Sequence, residues 1–410
     1  MRIRDLARAA AQWASQFWSD LKSSTDAGVL TIARFLGLLY GPIDARLPIN
    51  EALKKALNYR LAPHVTWRHA LGGITYLLFI LLVLTGVLLS VHYRPSVQEA
   101  YPSIQHIVSE VTLGWLMRDV HVWAANLVVL VMLAHMARVF FDAAYKPPRE
   151  TSWLVGVGLL VIVLAFGATG TLLPWDQSAY WTVSEALNGV AGMPIIGGLA
   201  AGLLRGDPIV SGATLSRFFA VHVIVLPWFA FALLTFHFTV LRRHGIAPPK
   251  HATSPALGSG RPFFPNHLLR SISVAAVVCA LMVTLAAFWP RPVGDPANPA
   301  EAPSSIIATW VVVDVSRALT HYLGAWGFVG FSLLGISLAL VPLFDRDPER
   351  DLRRRPVVAT LGFVFFIGFV VLWLVGSQLR SRPTGAALEP NAAAPPAAAV
   401  QHSGGERRAP

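Results

Sequence analysis

Charge is what this sequence has least of. Only 13% of its 410 residues are Asp, Glu, Lys or Arg and the mean hydropathy is +0.55, against about 25% charged in a soluble domain, which excludes an ordinary soluble enzyme. Cysteine is nearly absent. The lone Cys279 excludes a disulfide framework, a thiolate-bound iron–sulfur cluster and a Cys-x-x-Cys-His haem attachment. Acidic residues are scarce as well, 22 against 33 Lys and Arg, for a net charge of +11. That excess alternates with apolar runs in a membrane pattern, so no nucleic-acid partner is expected.

What is present is a set of uncharged runs at 70–91, 120–137, 151–175, 218–241, 271–290, 318–344 and 357–379. A spanning helix needs about 20 such residues, so seven transmembrane helices are expected. An eighth run, 186–204, is interrupted by Gly189, Gly192, Pro194, Gly197, Gly198 and Gly202. It reads as short helices at one membrane face. Lys and Arg number 23 in segments 1–69, 138–150, 242–270 and 345–355, and 10 in the alternate segments and the tail. This predicts a cytoplasmic N-terminus, an external C-terminus and a bacterial-type inner (plasma) membrane. No cleaved signal is expected, since no early apolar core precedes a small-residue site. Segments 5–22 and 49–59 read as amphipathic helices for the cytoplasmic face or for a partner. The Ala- and Pro-rich stretch 383–400 reads as disordered.

Four of the 13 histidines lie in predicted spans, His121 and His135 in the second, His222 and His237 in the fourth. A spacing of 14 leaves two side chains about 40° apart on a helix and a spacing of 15 about 60°, so each pair shares a face. The members of a pair are separated by about 21 to 22 Å, close to two-thirds of the hydrocarbon thickness. Both helices run in one direction in the expected topology, which sets His121 against His222 and His135 against His237. Two helices so equipped can clamp two stacked haems, each with both axial positions filled, which suits electron transfer. The alternative is four histidines bonded across helices or lining a proton path. Gly72 and Gly86, and Gly156 and Gly170, repeat the 14-residue interval and would admit a flat macrocycle. Arg118, Arg138 and Arg242 lie near helix ends, where they would meet haem propionates or snorkel to headgroups. The expected fold is an all-α integral membrane protein, which the resemblance described next divides into a four-helix dihaem bundle followed by three further transmembrane helices.

Over about residues 60–380 the sequence resembles cytochrome b of the bc1 and b6f complexes. The likeness is to the cytochrome b6 type over 62–248, through APHV at 62–65, LGGIT at 71–75, YRP at 93–95, KPPRETSW at 146–153, GATGTLLPWDQSAYW at 167–181 and TLSRFFAVHVIVLPW at 214–228. The 15-residue interval from His222 to His237 also looks like cytochrome b6, and 263–379 looks like a fused subunit IV. The resemblance implies a dihaem domain over 61–248 and a three-helix domain over 249–379, between a cytoplasmic amphipathic extension over 1–60 and a disordered Ala/Pro-rich tail over 380–410 read from composition and charge. It implies His121 with His222 as ligands of the outer, lower-potential haem b and His135 with His237 as ligands of the inner one. Quinol would be oxidised near the outer face among Leu173 to Gln177, the segment after it, and the 290–315 loop. One electron would go to a Rieske iron–sulfur protein and the other inward through the haems to a quinone, in a respiratory-chain complex with a c-type cytochrome. Such complexes are generally dimers.

Three positions depart from the family pattern. The cysteine that holds an extra haem in cytochrome b6f proteins is replaced by Ala70, so two non-covalent haems and no covalent third are expected. The Pro-Glu-Trp-Tyr motif aligns with Ala308-Thr309-Trp310-Val311, so the glutamate that takes a proton from quinol is missing. Thr309 is no base near neutral pH. Asp314, five residues on, replaces it if it turns inward, with Glu301 as a weaker candidate. The alternative is an Asp314 facing solvent at a helix start. At the inner quinone site the family's acidic residue falls at His267 or Ser271, with Arg242, His244 and His251 nearby. The catalytic candidates are therefore Asp314, Thr309 and Trp310. Alternatives are a dihaem conduit with a degenerate outer site, or a haemless scaffold or transporter.

Overall fold

The structure, a computed structural model, describes residues 67–247, 267–303, 310–324 and 326–379, together with 51, 60–61, 65, 261–262 and 265. Segment 5–22, nearly all of 49–59, His251, Thr309 and 383–400 lie outside the described residues.

Helix follows wherever charge and Pro/Gly clusters are absent. α1 (Ala70–His92) contains no charged residue other than its terminal histidine. After the short α2 (Ala100–Ser109) come α3 (Gly114–Phe141) and α4 (Glu150–Thr171). The interrupted run at 186–204 lies in two short helices, α5 (Gln177–Ala191) and α6 (Gly197–Arg205). Asp176 caps α5 by accepting from the Ala179 N–H at 2.8 Å, and Gly206 ends α6 at φ +83°. A capping box of Ser211 and Thr214 starts α7 (Gly212–Ala220), which passes through one π turn at Val221–Val225 into α8 (Leu226–His244). Then follow α9 (Leu268–Phe288), α10 (Val311–Leu323), α11 (Trp326–Phe344) and α12 (Pro356–Gln378). Two-residue strands β1 (Arg60–Leu61) and β2 (Arg261–Pro262) pair antiparallel, Arg60 opposite Pro262.

Among the described residues, seven helices are long and apolar enough to cross a membrane: α1, α3, α4, the continuous Gly212–His244, α9, α11 and α12. The count agrees with the apolar runs, but the sixth run differs in detail. Residues 318–344 are not one helix. Gly324 turns the chain at φ +58° and separates α11 from the amphipathic α10, whose buried face comprises Val311, Val312, Asp314, Val315, Ala318 and Leu319. Glycine reaches that conformation without the penalty of a Cβ.

α1 packs against α3, and α4 packs against both α3 and the α7–α8 helix, forming the four-helix unit. α9 and α12 lean on α3, while α11 lies on α4. Pro342 inside α11 cannot donate to the carbonyl four residues back, that of Leu338. Trp153 at the start of α4 fills the vacancy, its indole Nε1 donating to Leu338 O at 2.8 Å. At the same end, buried Asp345 accepts from Lys146 Nζ at 3.0 Å, from Arg355 at 2.6 Å and from the Tyr145 hydroxyl. Burial pushes the Asp345 carboxyl up, but these donors and charges together hold it below its ordinary value. A lone buried carboxylate would cost several kcal/mol, so the cluster makes this end of the domain contact specific.

Candidate functional site

The rings of His121 on α3 and His222 on the π turn face each other, centroids 6.4 Å apart. Thr85 Oγ1 lies 2.9 Å from His121 Nδ1, and Thr169 Oγ1 lies 3.0 Å from His222 Nδ1. Each threonine donates its only hydroxyl proton to the carbonyl of a preceding turn, Thr85 to Leu81 at 2.6 Å and Thr169 to Ala165 at 2.8 Å. Each hydroxyl oxygen therefore accepts from an imidazole Nδ1–H. That tautomer leaves the Nε2 lone pair of both rings free for a metal, and the ring separation leaves room for an ion about 2 Å from a nitrogen of each.

The four glycines sit against the four histidine rings. An added Cβ would stand 3.3 Å from His121 Cε1 at Gly86, 2.8 Å from His222 Cε1 at Gly170, 3.1 Å from His135 Cε1 at Gly72 and 3.9 Å from His237 Cε1 at Gly156. Each ring thus approaches a neighbouring backbone in the space that the missing side chain leaves. At the other level His135 and His237 are near enough to interact electrostatically. Neither His135 Nδ1 nor His237 Nδ1 has a hydrogen-bond partner among the described residues. The expectation from sequence stops at glycine and histidine. The threonines are legible in retrospect, because both glycines beside His121 and His222 occur as Thr-Gly, at 85–86 and 169–170, whereas Leu71 and Val155 precede those beside His135 and His237.

The π turn explains the 15-residue interval. One π turn takes up an extra residue without advancing the helix phase, so the interval behaves as 14 and the two helices present their histidines in equal register. Without it the fifteenth residue would carry His237 about 60° past His222 around the helix instead of about 40° short of it.

The arginines divide. Arg118 is buried and committed, donating to Asp119 Oδ1 at 3.0 Å and to the Arg291 carbonyl at 2.5 Å. Arg138 has a buried Nε with no partner among the described residues. Arg242 is exposed.

Beyond His121 and His222, the segments 173–177 and 290–301 are joined in the structure. Gln177 N donates to Asp295 O at 2.8 Å, Ala297 N to Trp175 O at 3.1 Å and Asn298 N to Gln177 Oε1 at 2.7 Å. Trp175 holds this turn at φ +52°, a strained conformation for a residue with a Cβ. Glu301 is exposed, and its backbone carbonyl accepts from Gln177 Nε2 at 2.5 Å.

Asp314 does not face solvent. It is 8% exposed and pairs with Arg317 at 3.2 Å. Burial, only partly offset by Arg317, raises its pKa from 3.8 to about 6, within the range of a working general base. It lines a cavity of about 300 Å³ with Trp123, Asn126, Arg291, Trp310 and Trp373. Trp310 also reaches α4, where its indole occupies the side-chain space of Gly167. Glu185 on α5 is likewise raised by burial and feels the charge of Arg317. At the opposite end Ser271 donates to His267 O at 2.9 Å, and the His244 carbonyl accepts from Arg149 at 3.0 Å.

Comparison with known proteins agrees with this architecture. Residues 56–245 match the family model described as cytochrome b/b6/petB, and 296–390 match that of the cytochrome b C-terminal/b6/petD part. Cytochrome b6 of Synechococcus sp. (strain JA-3-3Ab) is 40% identical over 211 residues, 52% of this chain and 98% of the relative. Cytochrome b6 of Prochlorothrix hollandica is 40% identical over the same length, 95% of that protein. A solved structure titled hyperthermophilic respiratory Complex III superposes with a TM-score of 0.74 at 27% identity, over 83% of this chain and 91% of the other. With seven helices among the described residues long and apolar enough to cross a membrane, and both family parts on one polypeptide, this chain belongs to the cytochrome b/b6 family, a multi-pass membrane redox protein for which haem b binding is implied.

Proposed function

We propose that the chain is the dihaem cytochrome b subunit of a quinol:cytochrome c oxidoreductase of the bc1/b6f type, oxidising quinol near the outer face. The observation that carries the reading is the outer histidine pair, two facing rings 6.4 Å apart whose Nδ1 atoms are each turned toward a threonine oxygen. His121 with His222 and His135 with His237 would hold two non-covalent haem b groups, which supply one-electron transfer with both axial positions filled. Gly86, Gly170, Gly72 and Gly156 seat the four rings, and the threonines orient the outer two. Arg138, with a buried partnerless Nε, is better suited to a propionate than Arg118, whose guanidinium is committed to Asp119 and Arg291. Arg242 is left for the headgroup level.

At the outer end Asp314 stands in for the missing glutamate. It is a carboxylate near neutrality on a cavity wall shared with Trp310, and it can accept a quinol proton, which Thr309 cannot do. A Rieske protein, a c-type cytochrome and a second copy of the complex are the partners this reading requires, and the likeness to a Complex III structure supports them. A second reading, a dihaem conduit with a degenerate outer site, draws on the ion pair that already engages Asp314.

The test is quinol-driven haem reduction in purified membranes, recorded as reduced-minus-oxidised spectra with an outer-site inhibitor and in Asp314→Asn. Reduction that is inhibitor-sensitive and lost in the variant is expected. Reduction indifferent to both would turn the reading to the conduit, and absence of any b-type spectrum would end it.

A further inference from the structure

A cleft of about 500 Å³ opens between the start of α4 and the end of α11, lined by Glu150 and Leu154 on the first helix, by Leu340, Pro342 and Leu343 on the second, and by Arg346 just beyond it. Pro342 removes a backbone donor from α11, and Trp153 reaches across to the freed Leu338 carbonyl at 2.8 Å. The two helices are thereby tied beside the cleft. Both belong to the set long and apolar enough to span a membrane, so the cleft lies where their apolar lengths end, at the level of lipid headgroups.

Several cations at this end are already engaged. Lys146 and Arg355 pair with buried Asp345, Arg149 donates to the carbonyls of His244 and Gly245, and Arg350 donates to the Asp142 carbonyl at 3.2 Å. Glu150 and Arg346 differ. Both line the cleft, yet neither joins an ion pair among the described residues. Arg346 spends only its Nε, which donates to Leu343 O at 2.9 Å, and its two terminal nitrogens are left over. Beside them stand bare apolar groups, Leu154 at 48% and Leu343 at 55% exposure. One unmet anion, one unmet cation and an apolar surface thus share a single cleft.

That combination selects among ligands. An anionic phospholipid would satisfy Arg346 but be repelled by Glu150. A choline headgroup carries both charges, but a quaternary ammonium has no hydrogen to donate and is recognised by aromatic rings, none of which lines the cleft among the described residues. A small zwitterion would leave the leucines uncovered. A phospholipid with a primary ammonium meets every group: the guanidinium fork takes the phosphate, the ammonium donates to the carboxylate, and an acyl chain covers the leucines. We propose that this cleft binds phosphatidylethanolamine, with its ammonium on Glu150, its phosphate on Arg346 and one acyl chain along Leu154, Leu340 and Leu343. A volume of about 500 Å³ is within the range of ligand pockets and takes the headgroup with the first part of a chain. Because α4 lies in the first family part and α11 in the second, the lipid bridges the two, and its binding stabilises their contact. No part of this depends on the quinol reading.

Two measurements on the purified holo-complex test it. The first is photolabelling with a phosphatidylethanolamine that carries a diazirine on one acyl chain, mapped by peptide mass spectrometry, which needs no variant. Label is expected on peptides spanning 147–154 or 339–346, with dioleoyl phosphatidylethanolamine as the strongest competitor. Label confined to other peptides would overturn the proposal, as would equal competition by dioleoyl phosphatidylcholine or phosphatidylglycerol. The second is native mass spectrometry of lipid titrations in the native protein, Glu150→Gln and Arg346→Gln, with dithionite spectra to verify both haems. Each variant loses one charged partner of the headgroup, so affinity for phosphatidylethanolamine should fall about tenfold or more, with partial recovery in Arg346→Lys. Glu150→Gln should also admit phosphatidylglycerol, which the native carboxylate repels. Unchanged affinity in both variants with intact spectra would overturn the site.

Discussion

The two histidine levels use the same glycine packing but different support. At the outer level both Nδ1 atoms meet threonine oxygens, 2.9 and 3.0 Å away, and both threonines are themselves oriented by a helix carbonyl. At the inner level His135 Nδ1 has no hydrogen-bond partner among the described residues, and the ring clearance at Gly156 is 3.9 Å against 2.8 Å at Gly170. The outer pair is therefore preset in tautomer and orientation before any ligand arrives, and the inner pair is held mainly by shape. Groups behind a metal-binding imidazole alter its basicity as well as its aim. Two sites built on one spacing rule should differ in affinity and potential for that reason.

The largest expected effect separates the ends of the molecule. Asp314→Asn should slow quinol-driven haem reduction by about 100-fold or more, the scale of a lost general base, while dithionite still reduces both haems. In the native protein Asp314 must be ionised to accept a proton. The rate should therefore rise with pH through about 6 and level off above it, and stopped-flow traces across pH 5 to 8 would check the shape. Next comes the glycine contrast. Gly170→Ala should lower haem content toward half by pyridine haemochrome assay, because its Cβ would press on His222. Gly156→Ala, with ordinary contact distance, should leave two haems per chain. A smaller effect is expected from Thr85→Val and Thr169→Val. Without the acceptor at Nδ1 the imidazole becomes a weaker donor to ferric iron, so the outer midpoint should rise by tens of millivolts. The inner one should stay put in the same redox titration. Smallest for function is Trp153→Phe, which leaves Leu338 O unpaired. It should cost about 1 to 3 kcal/mol of stability, read as a lower Tm, with both spectra unchanged.

The apolar runs and the basic segments between them made the seven spans legible, since a membrane helix is specified by length and the absence of charge. The run 318–344 misled because Gly324 is as uncharged as its neighbours, and only its backbone angle divides α10 from α11. The candidate site was legible where it depends on period. Histidine and glycine at intervals of 14 declare a shared face, whereas Arg291 stands in no such pattern. Its place over Trp123 follows from an α9 corner folding back 168 residues along the chain.

By itself the sequence determined the number of spans, the pairing of His121 with His222 and of His135 with His237 as an expectation, and the glycines beside them. These depend on local helical geometry, in which position along the chain translates directly into angle and height. The tertiary structure alone decided that threonines orient the outer rings, that a π turn absorbs the odd residue between His222 and His237, that Trp153 satisfies the carbonyl freed by Pro342, and that Asp314 is buried. Each is a meeting of groups from distant parts of the chain, or a strain relieved by one. Helical period carries no information about which distant donor reaches which acceptor, and packing decides it.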